Sequence, residues 1–240
     1  MCHSDRSRPP SAPGAGAARS STELELTAAD GNVLLAFEAC AAEPTGASIV
    51  VLPDVRGLHE FYKDLAVRFA EVGIDAVAID YFGRTADTAD RTDAFEFMPH
   101  VQQTGPAGVA ADIAAGVAHL REAGATSVFT VGFCFGGGYS WRQSADTPGL
   151  AGCIGFYGRP ESSLEVVERM QAPLLMLVAG ADAHIPVGDA RAVADAAPVP
   201  AEFVVFDGAP HSFFDRSYGE HAAACDEAWI RIRKFVLDHA

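Results

Sequence analysis

Residues 127–141 read SVFTVGFCFGGGYSW, an apolar β-rich run that passes without a linker into a plausible helix. At the junction stand Gly132, Phe133, Cys134, Phe135 and Gly136. A strand that enters a helix through G-x-C-x-G has the context of a nucleophile elbow, with cysteine where serine is usual. Glycines two residues before and after the cysteine have a steric reason, because a Cβ in so tight a turn would collide with the neighbouring strand or helix. The helix that starts just beyond Cys134 aims its peptide dipoles and free N–H groups at the sulfur, which favours thiolate over thiol. The ordinary alternative is that Cys134 is a small buried residue between loop glycines.

Outward from this turn the same rhythm recurs. From residue 47 onward, short apolar runs (ASIVVLP, IDAVAID, SVFTVGF, LAGCIGFYG, PLLMLVAG, AEFVVFD) alternate with helical patterns, and no internal repeat is visible. Phe61, Leu65, Phe69 and Val72 fall on one helical face, as do Val109, Ile113, Val117 and Leu120, and later Cys225, Trp229, Ile232 and Val236. Continuous apolar strands with helical crossovers predict a mostly parallel sheet covered on both faces, an α/β fold. Ahead of it, TELELT and VLLAFEAC flank AADGN, whose Asp-Gly pair predicts an antiparallel hairpin at a sheet edge. Residues 1–20, rich in Ser, Pro, Ala, Gly and Arg without periodicity, read as a disordered tail, leaving 21–240 as the domain.

A nucleophile needs a base, and the base an orienting acid. Asp182 follows the run PLLMLVAG, and His211 follows AEFVVFD. The order Cys134, Asp182, His211, with gaps of 48 and 29 residues, is the nucleophile, acid, base order of α/β-hydrolases. Each sits just after a separate predicted strand, so one sheet edge would gather all three. His184 and Asp207 are alternatives for the base and the acid. Asp207 precedes His211 by only four residues and would have to bond back over its own loop; His184 reads as loop surface.

Composition narrows the partners. Seventeen Lys plus Arg against thirty-two Asp plus Glu give a formal charge of −15, a field that repels nucleic acid and anionic membrane surfaces. A small anionic substrate remains compatible wherever an arginine fork is placed in a pocket. Five cysteines, odd in number and irregularly spaced, fit neither a disulfide framework nor a CxxC metal site and suggest a reducing cytoplasm. With no apolar run of 18 residues and no h-region before residue 33, neither secretion nor membrane insertion is expected. The remaining histidines lack metal-ligand spacing such as H-E-x-x-H, so no metal site is expected.

At these residues the chain resembles the dienelactone hydrolase family, the cysteine branch of the α/β-hydrolases. The resemblance spans roughly residues 22–240 and rests on GFCFGG at the elbow, LPDVRGLHE after the third strand, DYFGR at 80–84, GFYG at 155–158, AGADAHIP at the acid turn and PHSFF at the histidine. It implies an α/β-hydrolase fold and hydrolysis of an enol lactone, 4-carboxymethylenebut-2-en-4-olide opening to maleylacetate in aromatic catabolism. No cofactor is implied, and a monomer or homodimer is expected. Thiol chemistry agrees with this. A thiolate that adds to an ordinary ester is the better leaving group and is expelled again, whereas an enolate leaving group reverses the preference.

The resemblance also assigns residues. The backbone N–H groups of Phe135 and Val55 are expected to hold the oxyanion. A family glutamate that regulates the resting thiol aligns with Asp54, and a carboxylate-binding arginine with Arg84. A second arginine is expected four residues after the histidine, where this chain has Asp215 and places Arg216 one later; Arg56 is a further candidate. Tyr81 and Phe213, with Phe82, Tyr157 and Phe214, lie beside these turns and suit either an apolar pocket or the core. Two other readings stay open: the same mechanism on another activated ester, thioester or lactone, and a silent scaffold that only binds. A glutamine-amidotransferase-like enzyme is disfavoured because no H-x-E follows Cys134.

Overall fold

The computed structural model describes residues 6–86, 91–215 and 219–240. Eight strands form one sheet: β1 (Ala18–Thr27), β2 (Val33–Ala41), β3 (Ala47–Leu52), β4 (Asp75–Ile79), β5 (Ser127–Phe133), β6 (Gly152–Phe156), β7 (Leu174–Ala179) and β8 (Ala201–Phe206). Their spatial order is β1-β2-β4-β3-β5-β6-β7-β8. β1 and β2 pair antiparallel, as do β2 and β4, while β3 to β8 run parallel. The hairpin turns through Asp30 and Gly31, the latter at φ +87°, where a side chain would be strained.

The helices are α1 (Glu60–Ala70), α2 (Phe97–Gln103), α3 (Pro106–Glu122), α4 (Phe135–Asp146), α5 (Glu161–Leu164), α6 (Val187–Ala196) and α7 (Ala222–His239). Alternation along the strands assigns the layers. Ile49 and Val51 of β3 face Phe61, Leu65 and Phe69 of α1 and Trp229 and Ile232 of α7. Val50 and Leu52 face the other side, toward Val109, Ile113 and Val117 of α3, Trp141 of α4 and Val193 of α6. Strands buried on both sides read as unbroken apolar runs, and all six residues of β3 and of β7 are buried. α2, which buries none of its residues, left no periodic trace in the sequence.

The direction of winding reverses at β3: the chain leaves it through α1 to β4 on one side, then crosses back through α2 and α3 to β5 on the other. Such a switch point opens a crevice at the carboxyl ends of the strands, and the loops after β3, β5, β6, β7 and β8 all emerge there. Among the described residues no helix is long and apolar enough to cross a membrane, and no group of His, Cys, Asp or Glu is disposed to hold a metal ion.

The expected tail is a correction for residues 6–20. β1 begins at Ala18, Ala12 is buried, and the segment before β1 is tied down by hydrogen bonds. Trp229 Nε1 donates to the Pro10 carbonyl at 3.0 Å, Arg233 donates to the Pro13 carbonyl at 2.9 Å, and the Gly16 N–H donates to the Glu71 carbonyl at 2.7 Å. Two of these bonds end on backbone carbonyls and the third starts from a backbone N–H, groups that every residue carries, so composition and periodicity gave no sign of them. Trp229→Phe removes the indole donor and is expected to cost about 1–3 kcal/mol, read as a lower urea midpoint, together with faster tryptic cleavage after Arg6, which Ser7 follows.

Candidate active site

β5 runs directly into α4, and close backbone contacts force the turn between them. A Cβ on Gly132 would lie 1.9 Å from the Gly136 carbonyl oxygen, and one on Gly136 would lie 2.3 Å from the Leu52 and 2.4 Å from the Pro53 carbonyl oxygens. Neither contact is tolerable, so both positions require glycine, and the elbow is pressed against the loop that follows β3. Cys134 caps α4 at φ 52° and ψ −110°. Its N–H donates to the Phe156 carbonyl at 3.0 Å, while its own carbonyl accepts from Gly137 at 3.0 Å. The first N–H groups of a helix have no acceptor inside it, and that of Phe135, the first residue of α4, is one of them.

Across the sheet edge, His211 Nδ1 lies 2.7 Å from Asp182 Oδ2. A carboxylate only accepts, so Nδ1 carries the hydrogen, and in the neutral ring Nε2 presents a lone pair. Asp182 is itself fixed, because its Oδ1 accepts the N–H groups of His184 at 2.8 Å and Ile185 at 3.1 Å. Its side chain is 1% exposed against 14% for His211. The imidazole is also held between rings, with Tyr157 at 4.8 Å and His184 edge-on at 5.7 Å. Asp207 is exposed at the end of β8.

Cys134 and His211 line one cavity of about 320 Å³, together with His184, Ile185, Ser212 and Arg159. Among the described residues the non-glycine positions at positive φ are Cys134, Tyr157 (36°) and Ser212 (64°). Two of them line this cavity and the third packs its tilted ring against the imidazole. Strained backbone gathered at one place marks a site whose geometry the surrounding structure enforces.

The loop after β3 is organised from within. Asp54 Oδ1 accepts the Arg56 N–H at 2.9 Å, and Arg56 Nε lies 3.2 and 3.3 Å from the two carboxylate oxygens. Both side chains are buried. Tyr81 donates its hydroxyl to the Pro53 and Asp54 carbonyls, bracing the backbone just before Val55, which is half-buried. Burial first, and then the charges of Asp54, Asp80 and Cys134, push the Tyr81 phenol well above its usual pKa, so it stays a neutral donor.

Four expected substrate contacts are placed elsewhere. Arg84 is committed to Asp112 (Nε to Oδ2, 2.7 Å) and to Asp30 (Nη1 to Oδ2, 2.7 Å). Asp112 has no exposed side-chain surface, and withdrawing its partner would strand a buried charge at a cost of about 3–5 kcal/mol. Arg56 is held by Asp54. Tyr81 is fully buried beneath the loop, and Phe213 lies in the core against Phe156, Tyr157 and Phe206. Arg216 lies outside the described residues. Conversely, sequence reasoning overlooked Arg159 and Ser212. Arg159 follows GFYG directly, and a cation one residue past a strand-end turn was the available signal.

A parallel sheet with this strand order and a cysteine on its strand-to-helix elbow defines an α/β-hydrolase. The chain belongs to the dienelactone hydrolase family, whose model matches residues 37–239. It is 30% identical over 238 residues to a Methylorubrum extorquens protein named "Putative carboxymethylenebutenolidase", covering 90% of this chain and 80% of that one. A Bradyrhizobium protein named "Probable 2-oxo-3-(5-oxofuran-2-ylidene)propanoate lactonase" is 26% identical over 202 residues, covering 76% of this chain and 79% of that one. Among solved structures, a Klebsiella pneumoniae protein titled "Putative Dienelactone Hydrolase" superposes with a TM-score of 0.74 at 26% identity, over 91% of this chain and 99% of that one. The chain is therefore a hydrolase of a family that acts on small esters and lactones.

Burial separates the thiols. The Cys153 and Cys225 thiols are both pushed up to about 12 by desolvation, so at pH 7 only about one part in 100,000 is thiolate. Cys134 opens onto the cavity. Iodoacetamide at pH 7 is expected to modify Cys134 well before either of them in the native protein, as read by peptide mass spectrometry; earlier labelling of Cys153 or Cys225 contradicts the packing described.

Proposed function

We propose that the protein hydrolyses an enol lactone, or an equally activated ester, through a thioester acyl-enzyme. Cys134 is the nucleophile, His211 the base and Asp182 its orienting acid. The observation that carries this reading is one cavity shared by Cys134 and His211, with the imidazole locked by Asp182 at 2.7 Å. The thiolate adds to the lactone carbonyl, and the oxyanion is received by the N–H groups of Phe135 and Val55. The close approach of Gly136 to the Leu52 and Pro53 carbonyls supports this pairing, because it sets the two donor loops side by side.

Collapse of the adduct breaks the ring C–O bond, and the enolate leaves and takes up a proton to give the ketone. Water then attacks the thioester while His211 Nε2 takes its proton, and the Cys134 thiolate departs as the second carboxylate forms. Asp182 remains ionised throughout and stabilises the imidazolium. The buried Asp54–Arg56 pair and Asp80 lie around Tyr81, which supports a role for Asp54 in setting the charge near the resting thiol. The names of the Methylorubrum and Bradyrhizobium relatives support a five-membered enol lactone bearing a carboxylate, and a reducing cytoplasm suits a free thiol nucleophile.

The test follows absorbance of 4-carboxymethylenebut-2-en-4-olide with wild type, Cys134→Ala and His211→Ala. Each substitution is expected to lower kcat by about 10³–10⁴-fold, with the fold kept intact by circular dichroism. Wild-type protein that leaves both lactone isomers untouched yet cleaves a nitrophenyl ester would refute the substrate while retaining the site.

A further inference from the structure

The substrate carboxylate needs a cation in the Cys134 cavity, and the arginines expected from the sequence do not supply one from the described residues. Arg84 is engaged by Asp112 and Asp30, and Arg56 by Asp54. Arg159, by contrast, lines the cavity beside Cys134, His211 and Ser212. Among the lining residues it is the one with a permanent positive charge. The triad carboxylate, Asp182, is bonded to the imidazole with 1% of its side chain exposed.

The position is rigid at its base and free at its tip. A Cβ on Gly138, in the first turn of α4, would lie 2.3 Å from the Arg159 carbonyl oxygen, so the backbone of the β6–α5 turn is seated on the same helix that Cys134 caps. Tyr157, at φ 36°, bends the chain into this seat. The guanidinium, however, has a long ion pair with Glu161, 3.9 Å, in which both side chains are mostly exposed, 65% and 70%. A contact of that length in water holds the fork only weakly. The tip can therefore turn toward an anion in the cavity without leaving a buried charge behind, which Arg84 and Arg56 cannot do.

We propose that Arg159 is the specificity-determining residue that selects substrates carrying a carboxylate, binding that group on the β6 side of Cys134; this rests on the hydrolase reading of the same cavity. A planar fork meets a carboxylate through two parallel N–H···O bonds, which fixes orientation as well as affinity. On a chain of net charge −15, an anion entering the cavity is otherwise opposed by the overall field. A local cation at the mouth offsets that repulsion and sets which end of the lactone faces the thiol.

The experiment compares wild type, Arg159→Gln and Arg159→Lys on the free acid of the lactone and on its neutral methyl ester. The ratio of kcat/KM for acid over ester is expected to fall about 10- to 100-fold in Arg159→Gln, carried mainly by KM for the acid, with partial recovery in Arg159→Lys. An unchanged ratio overturns the proposal, whatever happens to the absolute rates. A second readout needs no turnover: maleate binding to the Cys134→Ser protein, by calorimetry, is expected to weaken at least about tenfold when Arg159→Gln is added, and equal affinity overturns the assignment. Wild type inactive on acid and ester, with Arg159-dependent maleate binding retained, would sink the hydrolase reading while leaving the anion site standing.

Discussion

The elbow holds its shape because backbone presses on backbone with no room for a Cβ. Gly132 faces the Gly136 carbonyl, and Gly136 faces those of Leu52 and Pro53, so the turn after β5 and the loop after β3 are fixed relative to each other by hard-sphere contact. Cys134 is left in a conformation that costs of order 1–3 kcal/mol for a residue other than glycine. The sheet and its two covering layers bear that cost. In return, the sulfur stands at the helix N-terminus, out of the sheet plane and facing the cavity. The same contact sets the loops that carry Phe135 and Val55, the proposed oxyanion donors, beside each other.

Around this fixed point the other groups are rigid to different degrees. Asp182 accepts three N–H groups, so the acid turn behaves as a clamp and His211 has little freedom of tautomer or ring angle. Ser212 and Tyr157 carry positive φ on either side of the imidazole, which places strained backbone on three loops that meet at one cavity. Strands β5 to β8 supply these loops in register because they are parallel neighbours, and their carboxyl ends share one edge.

Charge is distributed with similar economy. Three pairs of opposite charge are buried or nearly so: Asp54 with Arg56, Asp80 with Arg91, and Asp112 with Arg84. Burial raises the pKa of Asp80 and Asp112 against the pull of their arginines. Each arginine is therefore held by the penalty of leaving its partner alone, and these cations organise loops instead of binding ligands. Arg159, weakly paired and at the surface, is the exception that the cavity can use.

The sequence by itself determined the alternation of strand and helix, the edge hairpin, the elbow at Cys134 and the positions of Asp182 and His211 after their strands. Those features are local: apolar runs of strand length, glycines two residues from a cysteine, and polar residues at strand ends each have a signature within a few positions. Partnership between distant residues was decided only by tertiary structure. Arg84 reads as an available cation until the fold brings Asp112 and Asp30, 28 and 54 residues away, against it. Tyr81 and Phe213 could suit pocket or core until the loops close over them. The segment before β1 docks through main-chain hydrogen bonds to Trp229, Arg233 and Glu71, and no residue type announces a main-chain carbonyl. Periodicity records which face a residue turns inward; it carries no information about what that face will meet.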